Sequence, residues 1–330
     1  MNLPVSIFLL VGLSLIFNFL NGFHDSSNIV ATIIFSRAIS PRWALFIAAV
    51  AESAGPFLFG VAVAKTIGEE IVSADTINIQ IILAALAAGI FWNLFTWFFG
   101  IPSSSSHALI GGILGAVIVG VGFEVVKITG LVKILLSLLF SPVLGFFIGN
   151  LFTRLVYLLS KNATPHINNF FKRSQIVTGI GLALSHGAND AQKTMGIITL
   201  GLVTTGYLNN FVVPLWVILV CAAAMALGTL SGGWRLIRTL GSKFYKIRPI
   251  NGFCSQVSSA MVILGAAMLG GPVSTTQVVS SAIMGVGSAE RVNKVRWGVA
   301  GQITTAWFLT IPVTAVLSAI IYRLMIFAGI

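Results

Sequence analysis

The chain has 330 residues, of which 57% are hydrophobic and 8% are charged, and its mean hydropathy is +1.00. A soluble domain carries roughly a quarter of its residues as charges, so this composition excludes a protein with a fully solvated surface. The net charge of +11 does not indicate nucleic-acid binding, because the lysines and arginines lie in short loops between apolar segments, as is typical of the cytoplasmic side of membrane proteins. Cys221 and Cys254 have no paired spacing, so we expect neither a metal site nor a disulfide framework.

Apolar segments long enough to cross a hydrocarbon core of roughly 30 Å recur along the chain. They cover residues 43–64, 77–100, 128–159, 211–231, 252–270 and 297–322. The N-terminal 20 residues lack the basic start and small-residue cleavage site of a signal peptide, which predicts a retained first membrane segment. The sequence therefore predicts an all-α, multi-pass protein that is embedded in the lipid bilayer of the cell membrane.

A series of motifs occurs twice in the same order, at an offset of 165–170 residues. The pairs are Gly22-Phe23-His24-Asp25 with Gly187-Ala188-Asn189-Asp190, Pro102 to His107 with Pro272 to Gln277, Gly115 with Gly285, and Pro142 with Pro312. We therefore predict two diverged copies of one helical unit, residues 1–160 and 174–330, joined by a polar cytoplasmic linker, residues 161–173.

The charges of the loops predict that the two copies are inverted. In the first copy, loop 37–42 is basic and loop 65–76 is net acidic; in the second, loop 203–210 is uncharged and loop 232–250 carries five basic residues. Equivalent loops then lie on opposite sides of the membrane, and both termini lie outside. Inverted repeats are typical of secondary transporters, whose binding site lies between the repeats near the midplane. A duplicated channel or a membrane enzyme is the alternative.

Polar residues are few, and they fall on the repeated motifs. Residues 21–28 interrupt the first apolar run, and residues 185–194 interrupt its counterpart. Buried polar groups at membrane depth usually face a cavity or a partner, and irregular backbone is tolerated where it lines a cavity. We therefore predict a polytopic bundle with broken or re-entrant half-helices, in which both polar runs break a helix beside the site. A polar loop at the membrane surface is the alternative.

The second pair of motifs is suited to an anion. A proline is followed by a run of hydroxyl residues, Ser104, Ser105 and Ser106 in the first copy and Ser274, Thr275 and Thr276 in the second, each of which starts a short helix. Helix starts present free N–H groups and a partial positive charge, and hydroxyls add further donors. The pattern favours a bound oxyanion between the two starts. The alternative is that the hydroxyls only cap the helices.

Two aspartates are the natural ligands of a coupling cation or proton. Asp25 and Asp190 supply carboxylates, and Asn28 and Asn189 supply neutral oxygens, which together suit a hard cation. Glu52 is a third intramembrane carboxylate, and we align it with Met225 in the second copy. His24, His107 and His186 lie within motifs, either as hydrogen-bonded spacers or as proton carriers.

The segments NGFHDSSNIVAT, HGANDAQKTMGII, PSSSSHALIGG and LGTLSGGWRLIRTLG resemble the inorganic phosphate transporter family, known as PiT, over nearly the whole chain. The resemblance implies uptake of phosphate coupled to Na⁺ or H⁺ and no cofactor. It also implies a set of binding residues, namely Asp25, Asn28, Asp190, Ser104 to Ser106 and Ser274 to Thr276. Glu52 resembles the intramembrane glutamate of the family.

The chain departs from many Na⁺-coupled members at two positions. Lys193 stands where those members have asparagine, and Met225 stands where some have a second glutamate. The ammonium of Lys193 could replace a bound cation, pair with Asp190 or contact the anion, and we class the residue with the anion-binding set. Both changes remove cation ligands, so we expect coupling to H⁺ rather than Na⁺, with a divalent metal carried together with phosphate as a further alternative.

Three other functions are compatible with parts of this pattern. A sulfate permease of the same family would use the same donors, although a carboxylate that faces the anion favours phosphate, which carries a proton at neutral pH. An anion channel would not need intramembrane carboxylates. A membrane enzyme would need a nucleophile with an oriented base, and the sequence offers none. The sequence is compatible with a monomer and with a homodimer.

Overall fold

The computed structural model describes residues 3–329, which are almost entirely helical; among them the one β contact is a single bridge between Val72 and Val126. The first half contains α1 (Leu3–Phe35), α2 (Pro41–Phe59), α3 (Ala62–Glu69), α4 (Ile79–Phe99), α5 (Ser105–Gly120) and α6 (Ile128–Leu159). The second half contains α7 (Ile167–Thr204), α8 (Leu215–Ser231), α9 (Trp234–Arg238), α10 (Pro249–Met268), α11 (Thr275–Glu290) and α12 (Trp297–Phe327). The α7 helix begins inside the predicted linker 161–173.

Six of the described helices are long and apolar enough to cross a membrane, namely α1, α2, α4, α6, α10 and α12. The pair formed by α8 and the segment Trp234–Lys243 would add a seventh span, bent by 61° between its two parts. Large apolar side chains on these helices are exposed, as expected for a surface that contacts lipid. The prediction of a multi-pass membrane protein is confirmed.

The two halves have the same order of elements and exchange packing partners. The α5 helix of the first half packs against α12, and α11 of the second half packs against α6. Equivalent glycines permit both contacts: a Cβ added at Gly115 would overlap the backbone of Ala315, and one added at Gly285 would overlap the backbone of Phe146. The prediction of two copies of one helical unit is confirmed.

The α1 and α7 helices are continuous, so the prediction that the polar runs break them is wrong. The α1 helix passes through residues 21–28, and α7 passes through residues 185–194. The polar side chains of both helices bond to neighbouring elements; Asn18 Nδ2, for example, donates to Cys221 O of α8 at 2.7 Å. Because many of these side chains bond to groups on other elements, the helix backbone keeps its own hydrogen bonds.

The breaks occur instead in the helices that pack against α1 and α7. The α2 helix ends at Gly60, with φ of 77°, and α8 ends at Gly232, with φ of 67°, a region that glycine adopts without strain. Gln192 Oε1 on α7 accepts the backbone N–H of Val63 after the first break, at 2.8 Å. Ser26 Oγ on α1 accepts the N–H of Gly233 after the second, at 2.9 Å. The polar runs therefore hold broken helices without being broken themselves.

Candidate anion and coupling-ion site

Two carboxylates from different halves meet at one histidine in the centre of the protein. His186 Nε2 lies 2.9 Å from Asp190 Oδ2, at an angle that does not meet hydrogen-bond geometry, and 3.8 Å from Asp25 Oδ2. One ligand atom from each of these three side chains lies within 4.8 Å of the other two, and each side chain is at most 1% exposed. The structure thus brings together the two aspartates that the sequence proposed from separate copies.

Glu52 belongs to the same cluster. Its Oε1 lies 2.5 Å from His186 Nδ1, and its Oε2 accepts a short hydrogen bond from the hydroxyl of Thr229 on α8. Glu52 stands out in the sequence as an intramembrane carboxylate, but Thr229 does not, because it lies in an apolar helix, one turn after Met225. Nothing local in the sequence marks that hydroxyl as a partner of a residue 177 positions earlier.

The contacts of His186 favour a bound proton. Each ring nitrogen faces a carboxylate oxygen, whereas a neutral imidazole carries one N–H. A bare nitrogen and a bare carboxylate oxygen would repel each other at 2.9 Å, so the ring is an imidazolium or one of the facing acids is protonated. With neutral histidines, the three buried carboxylates and the ammonium of Lys193 leave a net charge of minus two. Burial of uncompensated charge is costly, so this cluster attracts protons or cations.

In the first half, Asp25 is connected to the start of α11. Thr276 Oγ1 donates to Asp25 Oδ1 at 2.8 Å and accepts from Asn28 Nδ2 at 3.1 Å. His24 Nδ1 lies 3.4 Å from the same carboxylate oxygen. Asp25 Oδ2 and Asn28 Oδ1 are buried and have no hydrogen-bond partner in the part of the chain that the structure describes. Two oxygens of the predicted cation ligands therefore face inward without a donor.

In the second half, the corresponding aspartate is fully engaged. Lys193 Nζ makes a close ion pair with Asp190 Oδ1, and Thr275 Oγ1 donates to Asp190 Oδ2 at 2.5 Å. The same ammonium donates to Ser106 Oγ at 2.6 Å and to Val273 O at 2.7 Å. Of the three roles considered for Lys193, pairing with Asp190 is the one that the structure displays.

The hydroxyl runs divide into caps and bridging residues. Ser104 Oγ and Ser274 Oγ accept the N–H groups of His107 and Gln277, at 3.2 and 3.4 Å, so the capping alternative holds for these two serines. The next hydroxyl of each run bonds within its own half, as Ser105 Oγ does to Asn21 Oδ1 at 2.6 Å, whereas the one after it bonds across the contact between the halves, as Thr276 Oγ1 does to Asp25 Oδ1 at 2.8 Å. These hydroxyls can therefore respond to both halves.

The two helix starts meet each other. Ser106 Oγ donates to Val273 O at 3.2 Å, and His107 Nε2 lies 3.5 Å from Gln277 Nε2. The first N–H groups of α5 and α11 have no acceptor within their own helix, and both helix ends carry partial positive charge. Two such starts in contact form an arrangement that favours an anion.

Asn189 lies in a different place from the one its predicted role requires. Its side chain donates to Gly271 O at 3.2 Å and accepts from Val273 N at 3.3 Å. It therefore holds the extended segment before α11, while the adjacent Asp190 reaches the cluster.

Known proteins resemble this chain over nearly its whole length. A sequence profile described as "Phosphate transporter family" matches residues 21–166 and 157–318. The chain is 46% identical to a "Probable low-affinity inorganic phosphate transporter" of Rhizobium meliloti, over 95% of this chain and 94% of that protein. It is 45% identical to a protein of the same description from Bacillus subtilis, over 96% of each. A solved structure described as "The sodium-dependent phosphate transporter" superposes with a TM-score of 0.88 at 27% identity, covering 98% of this chain and 99% of that one.

Proposed function

Since this chain belongs to the phosphate transporter family, we propose that it is a secondary transporter that carries inorganic phosphate across the membrane together with protons. The relatives support phosphate as the substrate. The observation that carries proton coupling is His186, which faces Glu52 through one ring nitrogen and Asp190 through the other, in full burial. This contact favours a bound proton, and it joins residues from both halves.

Phosphate would bind where the starts of α5 and α11 meet. The free N–H groups and the hydroxyls there offer donors from both halves, and a tetrahedral oxyanion accepts many hydrogen bonds. Thr275 now donates to Asp190 and Ser105 donates to Asn21, so a phosphate that takes these hydroxyls displaces both contacts. Asp190 would then lose a donor that stabilises its ionised form, and its affinity for a proton would rise. Anion binding and proton binding therefore favour each other.

Alternating access would proceed by movement of one half against the other. Several hydrogen bonds of the site cross between the halves, as from Thr276 to Asp25 and from Lys193 to Ser106. A relative movement would exchange them together, which makes the site sensitive to which side is open. We also infer that the protein lies in the cell membrane and that both of its termini are outside.

A divalent metal carried together with phosphate is a second candidate, favoured by one observation. Asp25, His186 and Asp190 offer three ligand atoms in one buried cluster. Such a metal would compete with the protons of His186, and uptake would then require a divalent cation in the medium.

The test is uptake of labelled phosphate by proteoliposomes under an imposed pH gradient, without sodium, with and without Mg²⁺ and with excess sulfate as competitor. We expect accumulation when the outside is acidic, no dependence on Mg²⁺ and little competition by sulfate. Glu52→Gln should reduce accumulation driven by the gradient by about tenfold or more, since a positioned proton-transfer group contributes at least that much, while phosphate exchange persists. Glu124→Gln, at an exposed carboxylate, is the matched control.

Three outcomes would overturn parts of the proposal. A steep sodium requirement at constant pH would exclude proton coupling. An absolute Mg²⁺ requirement would favour the metal–phosphate complex. Full competition by sulfate, together with its own accumulation, would remove phosphate as the preferred substrate.

A further inference from the structure

The residue three positions after each central aspartate differs between the halves but makes an equivalent contact. Asn28 Nδ2 donates to Thr276 Oγ1 at 3.1 Å, and Lys193 Nζ donates to Ser106 Oγ at 2.6 Å. Thr276 and Ser106 are themselves repeat partners, the second residue of α11 and of α5. The two side chains thus occupy the same place in the repeated unit, one as a neutral amide and the other as a cation.

The surroundings of the Lys193 ammonium are those of a bound cation. Its three N–H groups are used by three oxygens of different kinds, the carboxylate of Asp190, the hydroxyl of Ser106 and the carbonyl of Val273. The side chain is 2% exposed. Carboxylate, hydroxyl and carbonyl oxygens are also the ligands that hard cations take in proteins. The ammonium therefore fills an oxygen cage.

The equivalent oxygens of the first half lack such a group. Asp25 Oδ2 and Asn28 Oδ1 are buried without a hydrogen-bond partner among residues 3–329, and Thr276 Oγ1 lies beside them. A buried carboxylate oxygen without a partner is costly, which indicates that this half is built to receive a mobile positive charge. The second half already contains one.

We propose that Lys193 is a permanently bound cation, which fixes the number of mobile coupling ions below the number that two equivalent halves would bind. This inference rests on the proposed function as a symporter. The ammonium pairs with Asp190 and holds Ser106 in place, the task that a sodium ion would perform beside an asparagine. Lys193→Asn, which introduces the residue of the first half, should therefore open a second site for a mobile cation, and sodium is the probe for it.

The experiment measures phosphate uptake and thermal unfolding of the purified protein as functions of sodium concentration at fixed pH. For Lys193→Asn we expect uptake without sodium to fall about tenfold or more, since the buried carboxylate of Asp190 loses its ammonium partner, and to recover when sodium is added. Its melting temperature should rise with sodium by more than that of the wild type, which reports binding independently of transport. Lys65→Asn, at a lysine that is 72% exposed, is the matched control and should change neither quantity.

A neutral double variant protects the test against a failure to fold. Asp190→Asn/Lys193→Asn removes both charges, so it should fold even if Lys193→Asn does not, and it should gain no sodium response. Failure of the double variant to fold, where Lys193→Asn also fails, would show that Lys193 acts through packing and would contradict the proposal. Lys193→Asn that keeps full uptake without sodium, or that sodium does not rescue, would also contradict it.

The outcome is separable from that of the proposed function. If the wild type itself requires sodium, proton coupling is wrong, but Lys193→Asn must then require one sodium ion more than the wild type, measured as the number of ²²Na⁺ ions taken up per phosphate. An unchanged stoichiometry would exclude Lys193 as a resident cation, whichever ion drives the wild type.

Discussion

Asp25 and Asp190 occupy the same position in the two halves, yet their surroundings differ. Asp25 receives a hydroxyl hydrogen bond from Thr276 on one oxygen, and its other oxygen has no hydrogen-bond partner in the described chain. Asp190 receives a hydroxyl from Thr275, an ammonium from Lys193 and a close contact from His186. The repeat therefore conserves geometry but not charge. One half has a fixed ammonium beside its aspartate, and the other has only the histidines His24 and His186 near it.

Replacing each aspartate in turn tests this difference, and we expect it to have the largest effect on the free energy of unfolding and on uptake. Asp190→Asn leaves the ammonium of Lys193 buried without a counter-charge, and loss of one partner of a buried pair costs about 3–5 kcal/mol. Asp25→Asn removes a carboxylate that no ammonium contacts, so we expect less than half of that loss. Phosphate uptake should collapse in both. The measurement is the free energy of unfolding in detergent beside uptake in proteoliposomes, and equal destabilisation would show that the two sites are electrostatically alike.

A second prediction concerns a feature that the two halves share. A Cβ at Gly187 would overlap the carbonyl oxygen of Glu52, and a Cβ at Gly22 would overlap that of Met225. Gly187→Ala and Gly22→Ala should therefore lower the free energy of unfolding by similar amounts, about 1–3 kcal/mol, because overpacking forces the helices apart. These contacts also confirm that Met225 occupies the place of Glu52.

Matched controls for these variants lie in the same helices. Gly181 on α7 and Gly12 on α1 have no atom within 4 Å of an added Cβ, so alanine there should be neutral or stabilising by about 0.5–1 kcal/mol, given its higher helix propensity. Unfolding of the purified variants checks both pairs. If Gly187→Ala were as mild as Gly181→Ala, the close approach of α7 to α2 would be wrong.

Much of this arrangement could be predicted from the sequence because its signals are local. Hydropathy is a property of each segment, and the order of repeated motifs needs no contact to be recognised. The helix starts at Ser105 and Thr275 are also predicted by local residues, because a proline and a cap residue precede each of them within a few positions. Asp25 and Asp190 could be predicted as site residues because carboxylates in apolar helices are rare and their burial is costly.

The rest depended on distant partners. The sequence suggested broken helices at residues 21–28 and 185–194, but Asn18, Ser26 and Gln192 bond to groups on other helices, and the breaks occur at Gly60 and Gly232 instead. The pairing of Glu52 with His186 joins residues 134 positions apart. Local propensity cannot reveal such a pair, since only the packing of α2 against α7 creates it.

The smallest expected difference in stability is between variants of the two side chains that bond to the helix breaks, Gln192 and Ser26. Gln192 accepts from Val63 and Ala64 and donates to Gly60 O and Ala188 O, whereas Ser26 accepts from Gly233 alone at its break. Gln192→Ala should cost about 2 kcal/mol and Ser26→Ala about 1, since each buried backbone N–H left without an acceptor carries its own penalty. Hydrogen exchange of the Val63 and Gly233 amides locates the change. Faster exchange confined to the break beside the altered side chain would show that each polar run stabilises its own neighbour, whereas faster exchange at both breaks would mean that they open together, as a rocking of one half against the other requires.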